Sequence, residues 1–194
     1  MLDIKRLFDF PYHQLEVHNL EVALVSKKNG KWVNTSTKGY IDKANALSRA
    51  LLKLGVKKND KIAVISSTNR TEWCIVDIGI LQVGAQNIPI YPTISSEDYE
   101  YILNHSQATY CFVSDQDVLD KVLKVKANTE LKDVYSFDQL KDCKNYSVLL
   151  EMGQDTSTQN EVEARKKEVK ETDLATIIYT SGTTGKPKGV MLSH

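Results

Sequence analysis

Five short apolar runs, none of them alternating with polar residues, constrain this chain more than any other feature. They are 61–66 (Lys-Ile-Ala-Val-Ile-Ser), 86–90 (Gln-Asn-Ile-Pro-Ile), 108–113 (Ala-Thr-Tyr-Cys-Phe-Val), 133–136 (Asp-Val-Tyr-Ser) and 174–179 (Leu-Ala-Thr-Ile-Ile-Tyr). Stretches of helical periodicity separate them. One precedes the first run, with Ile41, Ala44, Leu47, Leu51 and Leu54 on one face over 38–54, Ser36 placed to cap it and Gly55 placed to stop it in the left-handed conformation. Further helices are predicted from Asn69 to about Gly84, from a Ser95-Ser-Glu-Asp98 capping box to about His105, and over 117–126. Strands joined through helices of this length pair in parallel with right-handed crossovers. Their apolar, non-alternating character predicts a sheet covered on both faces. The expected fold class is therefore a three-layer α/β sandwich with a mainly parallel sheet of about five strands. Pro89 has no amide to donate, so it is expected at a sheet edge or a strand end.

Composition narrows the function classes. Lys plus Arg and Asp plus Glu are 25 each, so the formal net charge is zero, and the chain has no global field to collect nucleic acid. At 194 residues it is expected to form one domain with a real core. Cys74, Cys111 and Cys143 are odd in number and lack metal-ligand spacing, which predicts reduced thiols, two of them buried. Asp3 and Asp9 interrupt the N-terminal region where a signal peptide needs an apolar stretch. The longest apolar run, 74–81, is too short to span a bilayer. A cytoplasmic protein is the expectation, with room for peripheral membrane contact. Residues 151–171 are polar and dense in mixed charge, and read as a solvated helix or linker.

Residues 180–189 carry the chemistry: Thr180, Ser181, Gly182, Thr183, Thr184, Gly185, Lys186, Pro187, Lys188 and Gly189. Glycines let backbone N–H groups wrap an anion, hydroxyls donate to phosphate oxygens or ligate Mg²⁺, and lysines supply mobile positive charge. The segment directly follows an apolar run, and open α/β sheets place ligands at the carboxyl ends of their strands. It is not the nucleotide P-loop, because Gly182 has Pro187 five positions on and Lys186 precedes a proline. Pro187 also keeps Lys186 extended.

The string 179–194, Tyr-Thr-Ser-Gly-Thr-Thr-Gly-Lys-Pro-Lys-Gly-Val-Met-Leu-Ser-His, resembles the phosphate-loop signature of the adenylate-forming superfamily of AMP-binding enzymes. The resemblance continues upstream through 54–64, Asn69-Arg-Thr-Glu-Trp73, 79–85 and 88–93, and is loose over 116–170. The stretches 91–103 and 112–115 are similar to bacterial long-chain fatty acid–CoA ligases. The resemblance implies a two-step reaction. A carboxylate attacks the α-phosphorus of ATP to give an acyl-adenylate and pyrophosphate, and the thiol of coenzyme A then displaces AMP. It implies ATP, Mg²⁺ and coenzyme A as co-substrates and cofactors, with Thr180 to Gly185 and Lys188 along the polyphosphate, Thr180 near Mg²⁺, and Lys186 in a lesser role. Residues 1–194 would form the N-terminal portion of the AMP-binding domain. The adenine and acyl pockets lie outside the string, so the isolated chain is expected to catalyse neither step.

Other residues read as structural. His13, His18 and His105 lack metal spacing, Trp32 and Trp73 suit packing, and Tyr91, Tyr99, Tyr101 and Tyr110 suit core and rim. Asn69 is expected to begin or cap its helix, and the role of His194 is open. Two rivals stand beside the fatty acid reading: adenylation of an aryl or amino acid, and a non-catalytic α/β module.

Overall fold

A computed structural model describes residues 3–28, 30–181 and 185–194. Its elements, in chain order, are α1 (Asp9–Val17), β1 (Leu24–Lys28), β2 (Lys31–Thr35), α2 (Thr37–Lys53), β3 (Lys61–Ile65), α3 (Thr71–Gln82), β4 (Gln86–Ile90), α4 (Ser96–Ser106) and β5 (Ala108–Val113). There follow α5 (Gln116–Lys126), β6 (Asp133–Ser136), β7 (Lys144–Asn145), α6 (Ser147–Met152), α7 (Gln159–Glu168), β8 (Leu174–Thr180) and β9 (Lys188–Ser193). Local chemistry sets these bounds. The Ser36 hydroxyl accepts from the Gly39 amide at 3.1 Å, and Gly55 closes α2 at φ +80°. The Ser95 hydroxyl accepts from the Asp98 amide at 3.1 Å to start α4.

Seven strands form one sheet in the order β7-β6-β5-β3-β4-β8-β9, and β1 and β2 form a separate hairpin. All neighbours in the sheet are parallel except β8 and β9, which are antiparallel. The five apolar runs thus become β3, β4, β5, β6 and β8, and the sheet gains two strands that periodicity did not signal. One face packs Ile62, Val64, Phe112 and Tyr135 against Leu47, Leu51, Val76, Ile80 and Leu149 of α2, α3 and α6. The other packs Ala63, Ile65, Ile88 and Val113 against Ile102, Leu103, Leu119 and Val122 of α4 and α5. Each fully buried aliphatic side chain contributes roughly 1.5–3 kcal/mol of transfer free energy. The three-layer expectation therefore holds.

Several expectations are corrected. Pro89 lies in the interior strand β4, opposite Val64. The fold accommodates it because β4 pairs with β8 only at Asn87↔Thr176, so no ladder to β8 runs past Pro89. Asn69 does not cap α3; Arg70 holds that position, and Asn69 is exposed. Of the cysteines only Cys111 is buried, where burial pushes its thiol up; Cys74 and Cys143 are half-buried. Trp32 is 71% exposed rather than packed. Within 151–171, α7 is held to the body: the Arg49 guanidinium donates to the Gly153 carbonyl at 2.6 Å and also to Gln159, and Val162 is buried.

Candidate functional site

The segment singled out by sequence lies at the carboxyl end of β8. Thr180 is the last residue of β8 and pairs with Lys188, the first residue of β9. The Thr180↔Lys188 pair thus closes the ladder of an antiparallel hairpin, with Ser181 and residues 185–187 next to it. Cross-strand partners share a face of the sheet, so the Thr180 hydroxyl and the Lys188 ammonium emerge together. Gly185 has φ +89° and open space around it. Gly182, Thr183 and Thr184 lie outside the described residues.

Beside this loop is a cavity of about 540 Å³. Thr180, Ser181, Gly185 and Pro187 line one side, and Tyr91, Thr93, Ile94 and Asp98 line the other, from the β4–α4 connection and the first turn of α4. Ile90, Ile102 and Tyr179 form an apolar floor. Two neighbouring parallel strands thus deliver their carboxyl ends to one crevice, the position where open α/β sheets bind ligands.

The structure sorts the predicted residues. Thr180, Ser181 and Gly185 reach the cavity. Lys186 turns away from it and places Nζ 5.2 Å from the Tyr101 ring centroid. Gly189 is a strand residue rather than a loop residue, and its lack of a side chain serves packing. A Cβ there would meet Ile177 Cγ2 at 2.8 Å and the Tyr179 ring at 3.3 Å. Lys188 is exposed, and among the described residues neither Lys186 nor Lys188 has a carboxylate partner.

Other residues join the site without a motif to announce them. Asp98 was legible only as a helix-start residue, and it also faces the cavity. His105 is a satisfied histidine, with Nδ1 2.8 Å from the Tyr179 hydroxyl. Burial pushes the Tyr179 phenol up. His194 packs edge-on against Phe8 at 5.5 Å, and burial together with Arg6 holds its imidazole below the usual range.

A second polar crevice lies at the carboxyl ends of β3 and β6. There Arg70 Nη2 meets Asp138 Oδ1 at 2.9 Å, and Nε meets Glu72 Oε2 at 3.3 Å. Lys28 of β1 also pairs with Glu72, and the Ser26 and Thr71 hydroxyls are 2.9 Å apart. Glu72 is 2% exposed; burial alone would raise its carboxyl, but hydrogen bonds from Lys28 and Arg70 hold it below the usual range. Arg70 also lies over the Phe137 ring at 5.2 Å.

The architecture and the site together define a class: a doubly covered α/β domain with a crevice at the carboxyl ends of parallel strands β4 and β8, lined in part by Thr180, Ser181 and Gly185. Residues 12–194 match the AMP-binding enzyme family, and the chain belongs to that family. It is 32% identical over 179 residues to a long-chain-fatty-acid–CoA ligase, ACSBG2, of Xenopus laevis, with 89% of this chain and 24% of that protein covered. It is 33% identical to the long-chain-fatty-acid–CoA ligase FadD15 of Mycobacterium bovis, with 86% and 27% covered. Among solved structures, a long-chain-fatty-acid–CoA ligase of Archaeoglobus fulgidus superposes with a TM-score of 0.76 at 22% identity, over 100% of this chain and 38% of that one. The chain thus spans about a quarter of the length of these sequence relatives.

Proposed function

We propose that residues 180–189 bind the polyphosphate of ATP, and that this chain is the phosphate-loop part of a fatty acyl–CoA ligase working through an acyl-adenylate. The observation that carries the reading is the hairpin loop at the carboxyl end of β8. Its Thr180 and Ser181 hydroxyls line a cavity, and the exposed Lys188 pairs with Thr180 across the ladder, in a sequence that matches the AMP-binding family. Thr180 and Ser181 donate hydrogen bonds to phosphate oxygens, and Gly185 leaves room for close approach. Lys188 neutralises charge on the departing pyrophosphate.

Mg²⁺ fits here as a partner of the nucleotide rather than as a resident ion. Among the described residues no group of three or more His, Cys, Asp or Glu side chains could hold a metal. Thr180 would meet a Mg²⁺ carried on the phosphates, and that ion supplies charge neutralisation when bound. The fatty acid assignment follows the names of the sequence relatives, and coenzyme A would be the thiol acceptor in the complete enzyme. Among the described residues no helix is long and apolar enough to cross a membrane.

Two measurements test this. Titration of the 194-residue chain with MgATP, followed by amide shifts, should move residues around 180–189 with millimolar affinity, because the base and ribose contacts are outside it. In a longer protein containing this chain, acid-dependent ATP–pyrophosphate exchange should be strongest with long-chain fatty acids. Exchange driven better by aryl or amino acids would move the assignment to those substrates, and no MgATP response in either protein would sink it.

A further inference from the structure

Lys186 sits in the loop but not in the cavity, and what it touches forms a continuous column. Its Nζ lies 5.2 Å from the centroid of the Tyr101 ring. Tyr101 stacks on His105, with centroids 5.4 Å apart and planes at 29°. His105 meets the Tyr179 ring edge-on at 5.7 Å, and His105 Nδ1 is 2.8 Å from the Tyr179 hydroxyl. Tyr101 and His105 are four residues apart on α4, so they stand one above the other on one helix face. Tyr179 is the penultimate residue of the strand that enters the loop, and Lys186 is in the limb that leaves it. The column therefore bridges both limbs through α4, whose Ile102 and Leu103 share a core cluster with Tyr179.

We propose that Tyr101 and His105 are positioning residues that staple the two limbs of the 181–187 loop to α4, Tyr101 through Lys186 and His105 through Tyr179. The proposal rests on the phosphate-binding reading of this loop and adds a division of labour to it. Lys186 is committed to the Tyr101 ring, so the lysine that meets phosphate is Lys188. The geometry favours this division. Lys186 reaches the Tyr101 ring on α4, while Lys188 pairs with Thr180 and so lies on the strand face opposite Gly189 and Tyr179. Glu97 and Glu100 line a groove together with Tyr101 and His105, so the ring that Lys186 meets has acidic neighbours.

The test uses the 194-residue chain and four variants: Tyr101→Phe, Tyr101→Leu, Lys186→Gln and the double variant Tyr101→Leu/Lys186→Gln. Proton NMR should place the Lys186 ε-methylene signal upfield through the ring current of Tyr101. That displacement should persist in Tyr101→Phe and at saturating MgATP, and vanish in Tyr101→Leu. MgATP affinity should fall about two- to fivefold in Tyr101→Leu and in Lys186→Gln, the range an exposed cation–π contact supplies. It should fall no further in the double variant, and Tyr101→Phe should restore it. Weaker binding in Lys186→Gln with unchanged binding in Tyr101→Leu would make Lys186 a direct phosphate ligand and overturn the staple. So would a wild-type ε-methylene signal at its ordinary position. Because that signal is read without nucleotide, a wild-type chain that shows it yet binds no MgATP overturns the phosphate assignment alone.

Discussion

Two crevices open on the same edge of this sheet, and they treat charge in opposite ways. At the ends of β3 and β6, Arg70 is shared between Glu72 and Asp138, and Lys28 closes on the same buried carboxylate. The charges of Arg70, Lys28, Glu72 and Asp138 answer one another there, and Lys27 on the rim lies over the Trp32 ring. At the end of β8, Lys188 is exposed and has no carboxylate partner among the described residues, and Asp98 lines the cavity across from Thr180. The first crevice is glue, joining the β1–β2 hairpin to the sheet. The second leaves Lys188 unmatched among the described residues, and that is the charge the proposed polyphosphate would meet. Strand ends alone do not distinguish a site from a joint; the charge left unmatched does.

The comparison breaks first if Glu72 proves dispensable. Glu72→Ala should cost about 3 kcal/mol of stability. That is the lower end of the range for breaking a buried ion pair, because Arg70 retains Asp138. Chemical denaturation reads this directly, and MgATP affinity should not change. A loss under 1 kcal/mol would show that the two crevices are not energetically different. Lys188→Ala should do the reverse. It should weaken polyphosphate binding by about 1.5–3 kcal/mol, the range for hydrogen bonds to charged groups. It should leave stability within about 0.5 kcal/mol, as expected for an exposed side chain. Unchanged ATP affinity would count against the loop assignment.

A smaller effect sharpens the same contrast. Gly189→Ala inserts a Cβ against Ile177 and Tyr179 and should destabilise by about 1 kcal/mol through overpacking, which calorimetry would detect as a lower Tm. The smallest concerns acid. Folding holds the Glu72 carboxyl below its ordinary value, so its stabilisation is present above the unfolded pKa of about 4.5 and is lost as pH falls through and below it. Glu72→Gln should flatten the acid limb of a stability–pH curve between about pH 5 and 3. Parallel curves for the two proteins would mean the ion cluster is not what titrates.

Much of this was legible in the chain. The five apolar runs became the five strands they predicted, because a strand buried on both faces leaves an unbroken apolar record. Ser36, Ser95 and Gly55 marked helix ends because capping is local chemistry. What escaped reading was non-local. The strand β9 was hidden inside a motif read as loop, since Lys188 and Gly189 gain strand character only by pairing with Thr180 and Tyr179. The hairpin of β1 and β2 lacks a buried apolar face, so it left no period-two signal. The contact of Lys186 with Tyr101 joins residues 85 positions apart, which no local pattern records. The interior place of Pro89 depended on where β4 and β8 part company, which no single strand records.

The Thr180↔Lys188 pair also acts as a ruler. Side chains alternate across a strand, so a hairpin can absorb a deleted loop residue only by sliding one place. Sliding β9 to give a residue to the loop would carry Val190 into the slot now held by Gly189, where even a single added carbon collides with Ile177. The missing side chain thus polices the span of the loop from outside it. A shortened loop could not borrow a residue from the ladder.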